Sequence, residues 1–201
     1  MRTFLKAIVL AAATAVTGSA TLGAQDRAVT IYGFGGGISA LTDLDASDAQ
    51  DFKTGFNAGG GIGVGLHRYV ALRGEFTFAR DELRSGGADT GNNFNKFFYG
   101  GDLVLRYPLA NGLSPYVFGG GGAVTVDDDA DVAAASTTTR GAGRFGLGVS
   151  YEVPGSPIGI FAQGTGWVYA IDTTEDAKFA SFTETQFDAV YSIGLSYRIR
   201  L

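Results

Sequence analysis

The sequence predicts an all-β fold, an eight-stranded antiparallel up-and-down β-barrel. Two observations lead to it. Apolar and polar residues alternate with period two in segment after segment, the periodicity of a strand with one apolar face, and no convincing helical period appears from Val29 onward. The connections alternate between short turns and long polar loops, as in a meander whose tight turns all sit at one end.

The segments justify the strand count in order. The first, Val29 to Leu41, is irregular. In the second, FNAGGGIGVGL, one face carries Phe56, Ala58, Gly60, Ile62, Val64 and Leu66, and the other Asn57, Gly59, Gly61, Gly63 and Gly65. In the third, Val70, Leu72, Phe76 and Phe78 oppose Ala71, Arg73, Glu75 and Thr77. In the fourth, Phe97, Tyr99, Leu103, Leu105 and Tyr107 oppose Lys96, Asp102 and Arg106. The fifth, Pro115 to Val126, is less clean. In the sixth, Phe145, Leu147, Val149, Tyr151 and Val153 oppose Arg144, Ser150 and Glu152. In the seventh, Ile158 to Ala170, Phe161, Gln163 and Trp167 share a parity, which predicts a bulge or a mixed face. The eighth, YSIGLSYRIRL, alternates strictly from Tyr191 to Leu201, with Ser192, Gly194, Ser196, Arg198 and Arg200 between the apolar residues.

Short turns are expected at His67 to Tyr69, at Leu109 to Ser114 around Asn111-Gly112, and at Gly155 to Pro157. Long polar loops are expected at roughly Thr42 to Thr54, Arg84 to Asn95, Asp127 to Thr138 and Ile171 to Glu184, and they carry most of the acid. Ahead of the strands, MRTFLKAIVLAAATAVTGSATLGAQ has a basic start at Arg2 and Lys6, an apolar run from Ala7 to Val16, and small residues after it. That is a secretory signal peptide, assigned to residues 1–24 with Ala24 preferred to Ala20 as the cut, which leaves 25–201 as the barrel domain. The run falls short of the ~20 residues a membrane-spanning helix needs.

Composition removes several classes. With 32 glycines, 4 prolines and 45% hydrophobic residues the chain is neither collagen-like nor disordered. It has no cysteine, so no disulfide framework and no thiolate metal site. A net charge of −5 argues against nucleic acid as a partner.

An exported eight-stranded meander can be a soluble binding barrel, apolar inside, or a membrane barrel, apolar outside. Three features favour the second. The polar face is rich in Gly, Ser and Ala, and the whole chain carries only 17% charged residues, too few for a water-facing exterior. Aromatic residues gather at strand ends, with Tyr69, Tyr107, Tyr116, Tyr151 and Tyr197 toward the short turns and Phe56, Phe78, Phe97, Tyr99, Tyr169 and Tyr191 toward the long loops. The strands are about as long as a tilted strand crossing the hydrocarbon needs to be, and a closed barrel leaves no unpaired backbone in lipid.

With its leader, its eight segments, its tight turns and its closing YSIGLSYRIRL, the chain resembles the small outer membrane protein β-barrel family, the transmembrane domain of outer membrane protein A and its short relatives. The resemblance implies an eight-stranded transmembrane β-barrel in the cell outer membrane, a monomer surrounded by outer membrane lipid. It implies that the barrel-insertion machinery reads the last strand, usually at a terminal Phe, where this chain has Leu201. Because the sequence stops at the eighth strand, no peptidoglycan-binding domain is expected to follow.

A barrel of this size is just wide enough for side chains to fill. Arg73, Glu75, Asp102, Arg106, Arg144, Glu152 and Arg198 are expected inside as a charge network in the half nearer the short turns, each ion paired because a lone buried charge is costly. Arg200 is expected to reach water at the mouth. The inward glycines of the second strand leave room for the arginines opposite, or for a narrow wet path, so plug and pore both stay open.

No chemistry is expected of the chain, and no cofactor. GAGRFG (Gly141 to Gly146) matches a dinucleotide fingerprint, but no helix follows it. The single His67 lies in a short turn, away from the outer side where barrel enzymes place their catalytic groups. VDDDADV (Val126 to Val132) clusters carboxylates without the glycine or terminal Glu of a calcium loop and reads as a solvated loop. The function expected is structural and surface-interactive, with minor porin-like permeability. A lipid-modifying barrel enzyme and a soluble lipocalin-like barrel are the alternatives.

Overall fold

The computed structural model describes residues 28–42, 50–85, 88–128, 138–170 and 185–200. They form eight strands: β1 (Ala28–Ala40), β2 (Gln50–His67), β3 (Val70–Ser85), β4 (Ala88–Arg106), β5 (Leu113–Asp128), β6 (Thr138–Glu152), β7 (Ile158–Ala170) and β8 (Thr185–Arg200). Each pairs antiparallel with its chain neighbours, and β1 also pairs with β8, which closes the barrel. The closing seam is long: it runs from Ala28 opposite Arg200 to Ala40 opposite Asp188. Closure removes every free edge, and lipid offers no partner for an edge.

The apolar face points outward. Leu147 is 67% exposed, and Ile31, Leu103, Leu105, Val117, Ile160, Ile193 and Leu195 are exposed as well. In water so large an apolar surface would be a liability; in lipid it is the condition for insertion. Tyr69, Tyr107, Tyr151 and Tyr197 face out at the short-turn end, with Arg68 packed over Tyr69 at 4.6 Å. Phe56, Tyr99 and Tyr191 face out at the other end. Beyond them the outer wall turns polar. Tyr99, Thr125 and Thr139 form a run of hydroxyls, 3.4 Å and 2.8 Å apart, and Ser39 meets Thr54 at 3.1 Å. The apolar band therefore has a polar border on the long-loop side.

Two aromatics expected in the belts are inside. Tyr116 bonds to Gln163 in the lumen, and Tyr169 is buried there with Asp188. Strand parity decides this: inward-facing Gly120 and Phe118 carry Tyr116 in with them, and Trp167 carries Tyr169. The mixed face expected of the seventh segment resolves the same way. Its register with both neighbours is unbroken, and Phe161, Gln163, Thr165, Trp167 and Tyr169 all face in. The pattern looks irregular because the lumen takes aromatics there while lipid takes Ile158 and Ile160 on the other face. The irregularities fall elsewhere, between Lys53 and Phe56 and between Gly65 and His67 in β2, and between Glu82 and Arg84 in β3.

The strands also outrun the expected segments. Most of the stretch read as a loop from Arg84 to Asn95 continues β3 and β4, whose ladder reaches Ser85 opposite Ala88. Likewise β2 begins at Gln50, β8 at Thr185, and Asp127 and Asp128 belong to β5. Above the membrane both faces of a strand meet water, so the alternation fades while the backbone ladder persists. At the short-turn end, Gly112 and Gly155 take φ of +84° and +75°, the left-handed conformation that glycine adopts without a Cβ penalty.

Much of the glycine has a packing reason. Five inward aromatic rings each face a glycine directly across the ladder: Tyr32 faces Gly61 and Phe34 faces Gly59, Tyr116 faces Gly148 and Phe118 faces Gly146, and Phe161 faces Gly194. The rings lie over those glycines, so a Cβ on Gly59 or on Gly194 would come within 2.6 Å of Phe34 or Phe161. The β2 glycines thus seat the Tyr32 and Phe34 rings, where room for the arginines opposite was expected.

Candidate functional site in the barrel lumen

Alternation sends every second residue of every strand into the lumen, and the lumen is filled in layers. Its centre is a ring of four charges. Arg73 on β3 donates to Asp102 Oδ2 through Nε at 3.0 Å and Nη2 at 2.9 Å. Arg144 on β6 reaches Glu75 Oε1 at 2.7 Å through Nη2, and its Nε lies 3.1 Å from Asp102 Oδ1. Arg73 Nη1 is 3.8 Å from Glu75 Oε2, which completes the ring. Each carboxylate touches both guanidiniums, and two charges of each sign cancel.

Neutral groups complete the ring. Tyr32 donates to Glu75 Oε2 at 3.1 Å, Gln163 accepts from Arg73 at 2.8 Å, and Tyr116 donates to Gln163 at 3.2 Å. Arg73 stacks over Phe118 at 4.1 Å and Arg144 over Trp167 at 4.6 Å. A planar guanidinium can hold carboxylates at its edge and aromatic rings on its faces, so these positions suit Arg in a way Lys would not match.

Toward the long loops the next layer is apolar. Phe98 packs on Trp167 at 4.9 Å, with Val124, Ile38 and Val190 around them, all buried. Above it lies a second ionic cluster. Lys96 Nζ is 2.9 Å from Asp81 Oδ2 and 3.0 Å from Asp188 Oδ2, and Tyr169 donates to Asp188 at 2.8 Å. At the β8–β1–β2 wall, Asn57 donates to the Gly37 and Tyr191 carbonyls and accepts from Ser192.

Of the seven residues expected as one network, four share the central ring and three do not. Glu152 and Arg198 form a separate two-pronged pair at the short-turn mouth, one prong 2.8 Å long. Arg106 lies at that mouth too, its Nε donating to the Arg68 carbonyl at 3.1 Å. The staggered register sets these groups at different heights, so shared inward parity does not mean shared depth. The second cluster was missed, although the parity of the third segment continues from Arg73 through Glu75 and Thr77 to Asp81, and that of the last runs back from Ser192 through Val190 to Asp188. The missing signal was strand length.

Below the ring, at the short-turn mouth, is a cavity of about 490 Å³. Arg73, Arg106, Arg198 and Arg200 line it, and Glu152 is its one acid among the described residues. His67 stands outside the lumen at the end of β2, its ring 5.4 Å from Tyr69. Gly141 to Gly146 lies wholly inside β6 and opens no helix. No cluster that could hold a metal ion occurs among the described residues.

No curated protein matches the chain. Among solved structures, Neisserial surface protein A is similar at 15% identity, with a TM-score of 0.59, over 89% of this chain and 99% of that one. Ail, the attachment invasion locus protein of Yersinia pestis, solved with the heparin analogue sucrose octasulfate, is similar at 14% identity and a TM-score of 0.53, over 87% and 100%. The outer membrane protein OprG of Pseudomonas aeruginosa is similar at 13% identity and a TM-score of 0.52, over 90% and 99%. At such identities the likeness is one of fold. The model of the outer membrane protein β-barrel domain matches residues 8–198, nearly the whole sequence, and with its closed barrel, outward apolar band and charged lumen the chain belongs to that family of the outer membrane.

Proposed function

We propose that this protein is a structural and surface-contact barrel, a closed stave in the outer membrane that holds its long-loop end in the cell's surroundings. One observation supports this reading above the others: the lumen is crossed by three filled layers, from the Arg73–Glu75–Asp102–Arg144 ring through Phe98 and Trp167 to Lys96 with its two acids. Side chains so buried in the lumen, with Lys96 at 2% exposure and Phe98 at 0%, support a closed barrel. The short turns lie on the periplasmic side and the long connections outside, the usual arrangement of such barrels. Residues 1–24 act as the signal peptide and the insertion machinery reads β8; the leader and Leu201 lie outside the described residues. The barrel works as a monomer, its outer wall being suited to lipid all round.

Catalysis has no support in the residues: the one histidine is the last residue of β2, at the short-turn end and outside the lumen. The long-loop side is acid-rich, at Asp43, Asp45, Asp48, Asp129 and Asp131 and at Asp127 and Asp128 at the end of β5, so its partner is neutral or basic. A polyanion of the kind bound by Ail would be repelled there.

Planar-bilayer recording tests the closed barrel. The purified protein should give no steady single-channel opening; a steady conductance from the unmutated protein would replace this reading with a porin-like one. His67→Ala should leave membrane integrity and surface binding unchanged, and loss of a lipid-modifying activity in that variant would restore the enzyme reading.

A further inference from the structure

We propose that the short-turn vestibule is a binding site for a small phosphorylated solute, of the size and chemistry of a sugar phosphate. The cavity of about 490 Å³ lies between the short-turn residues Gly155, Ser156 and Pro157 and the ionic-ring residue Arg73, with Tyr32, Tyr116 and Phe161 in its lining. Its size falls within the range of small-molecule pockets and is larger than a bare phosphate requires.

Charge selects the ligand class. Arg73 is taken up by Asp102 and Gln163, and Arg106 is held by the Arg68 carbonyl, so Arg198 and Arg200 are the guanidiniums that face a ligand, with Glu152 the one acid of the lining. The site carries an excess of positive charge inside a chain whose net charge is −5. Arg200 makes no ion pair among the described residues. Arg198 is paired with Glu152 at side-chain exposures of 26% and 47%, within reach of water, so a doubly charged phosphate entering the cavity competes with the single carboxylate for the guanidinium. Planar forks of this kind match phosphate oxygens two at a time.

The rest of the lining suits a sugar. Thr30, Ser150 and Ser196 offer hydroxyls to the walls, and the glycines Gly63, Gly65 and Gly159 keep the space open. The aromatic lining gives the C–H face of a sugar ring a surface to pack on. Thr30, Ser150 and Ser196 face the lumen, so the ligand arrives from water.

Isothermal titration with glucose 6-phosphate, against the full barrel in non-ionic detergent, tests the site. A saturable heat is expected, weakened by salt and absent with glucose alone. The Arg198→Gln, Arg200→Gln double variant should weaken binding at least tenfold, because two guanidinium partners of the phosphate are removed. Glu152→Gln should tighten it severalfold by freeing Arg198, an effect opposite in sign that misfolding cannot imitate. Retention of the heat-dependent shift in gel mobility confirms that each variant is folded. No saturable heat, equal binding of glucose, or binding indifferent to all three substitutions would overturn the proposal.

Discussion

Glu75 on β3 accepts a hydrogen bond from Arg144 on β6 at 2.7 Å, across the lumen and across 69 positions of sequence. The two strands are separated by β4 and β5 around the wall, so this contact exists only when the sheet has curled into a barrel. It joins the ring that blocks the centre of the lumen.

Removing one partner of such a buried pair leaves an unpaired charge, which costs about 3–5 kcal/mol. Glu75→Gln should therefore lower the unfolding free energy by roughly 3 kcal/mol in a urea titration of the protein in micelles. Trp167, the one tryptophan, lies 4.6 Å from the Arg144 guanidinium and is the natural fluorescent reporter. The same variant should show brief conductance events in planar bilayers; a silent bilayer together with an unchanged midpoint would remove the ring from any role as a plug.

The upper cluster is asymmetric, with one ammonium between two carboxylates. Lys96→Met should strand both acids and destabilise by about 3–5 kcal/mol. Asp188→Asn keeps the Lys96–Asp81 pair and an oxygen for Tyr169, so its loss should be clearly smaller. Comparing the two urea midpoints checks the order, and equal losses would contradict the assigned geometry.

The rings seated on glycines make a different prediction. Gly59→Val places its branch against the Phe34 ring and should cost about 1–3 kcal/mol, as overpacking does, with loss of the heat-dependent gel shift at the upper end. Gly164 has open space where a Cβ would sit, and Gly164→Val should be neutral or slightly favourable because valine suits a strand. Gel mobility before and after boiling separates the two variants.

Depth in the bilayer can be read from the outer wall. Ile193 lies between the outward Tyr191 and Tyr197 and is 64% exposed, so Ile193→Arg should cost about 2–4 kcal/mol, as a charge near the midplane does. Thr139, in the hydroxyl run at the polar border, should accept Arg for about 0–1 kcal/mol. Equal costs measured by unfolding in phospholipid vesicles would misplace the apolar band.

The sequence by itself determined which residues face lipid and which face inward in the cleanly alternating segments, because a period of two needs no knowledge of the fold, but it misplaced Tyr116 and Tyr169, which the lumen takes in. YSIGLSYRIRL already separates Ile193, Leu195 and Ile199 from Ser192, Gly194 and Arg198. It determined the tight turns as well, since Asn111-Gly112 names its own backbone conformation. Tertiary structure alone decided depth. The register between strands set Arg73, Glu75, Asp102 and Arg144 at one height and moved Glu152, Arg198 and Arg106 to the mouth. It also carried β3 and β8 past their apolar stretches, which brought Asp81 and Asp188 to Lys96. The physical reason is that alternation is local to one strand, whereas a contact across a lumen depends on stagger summed over every strand between.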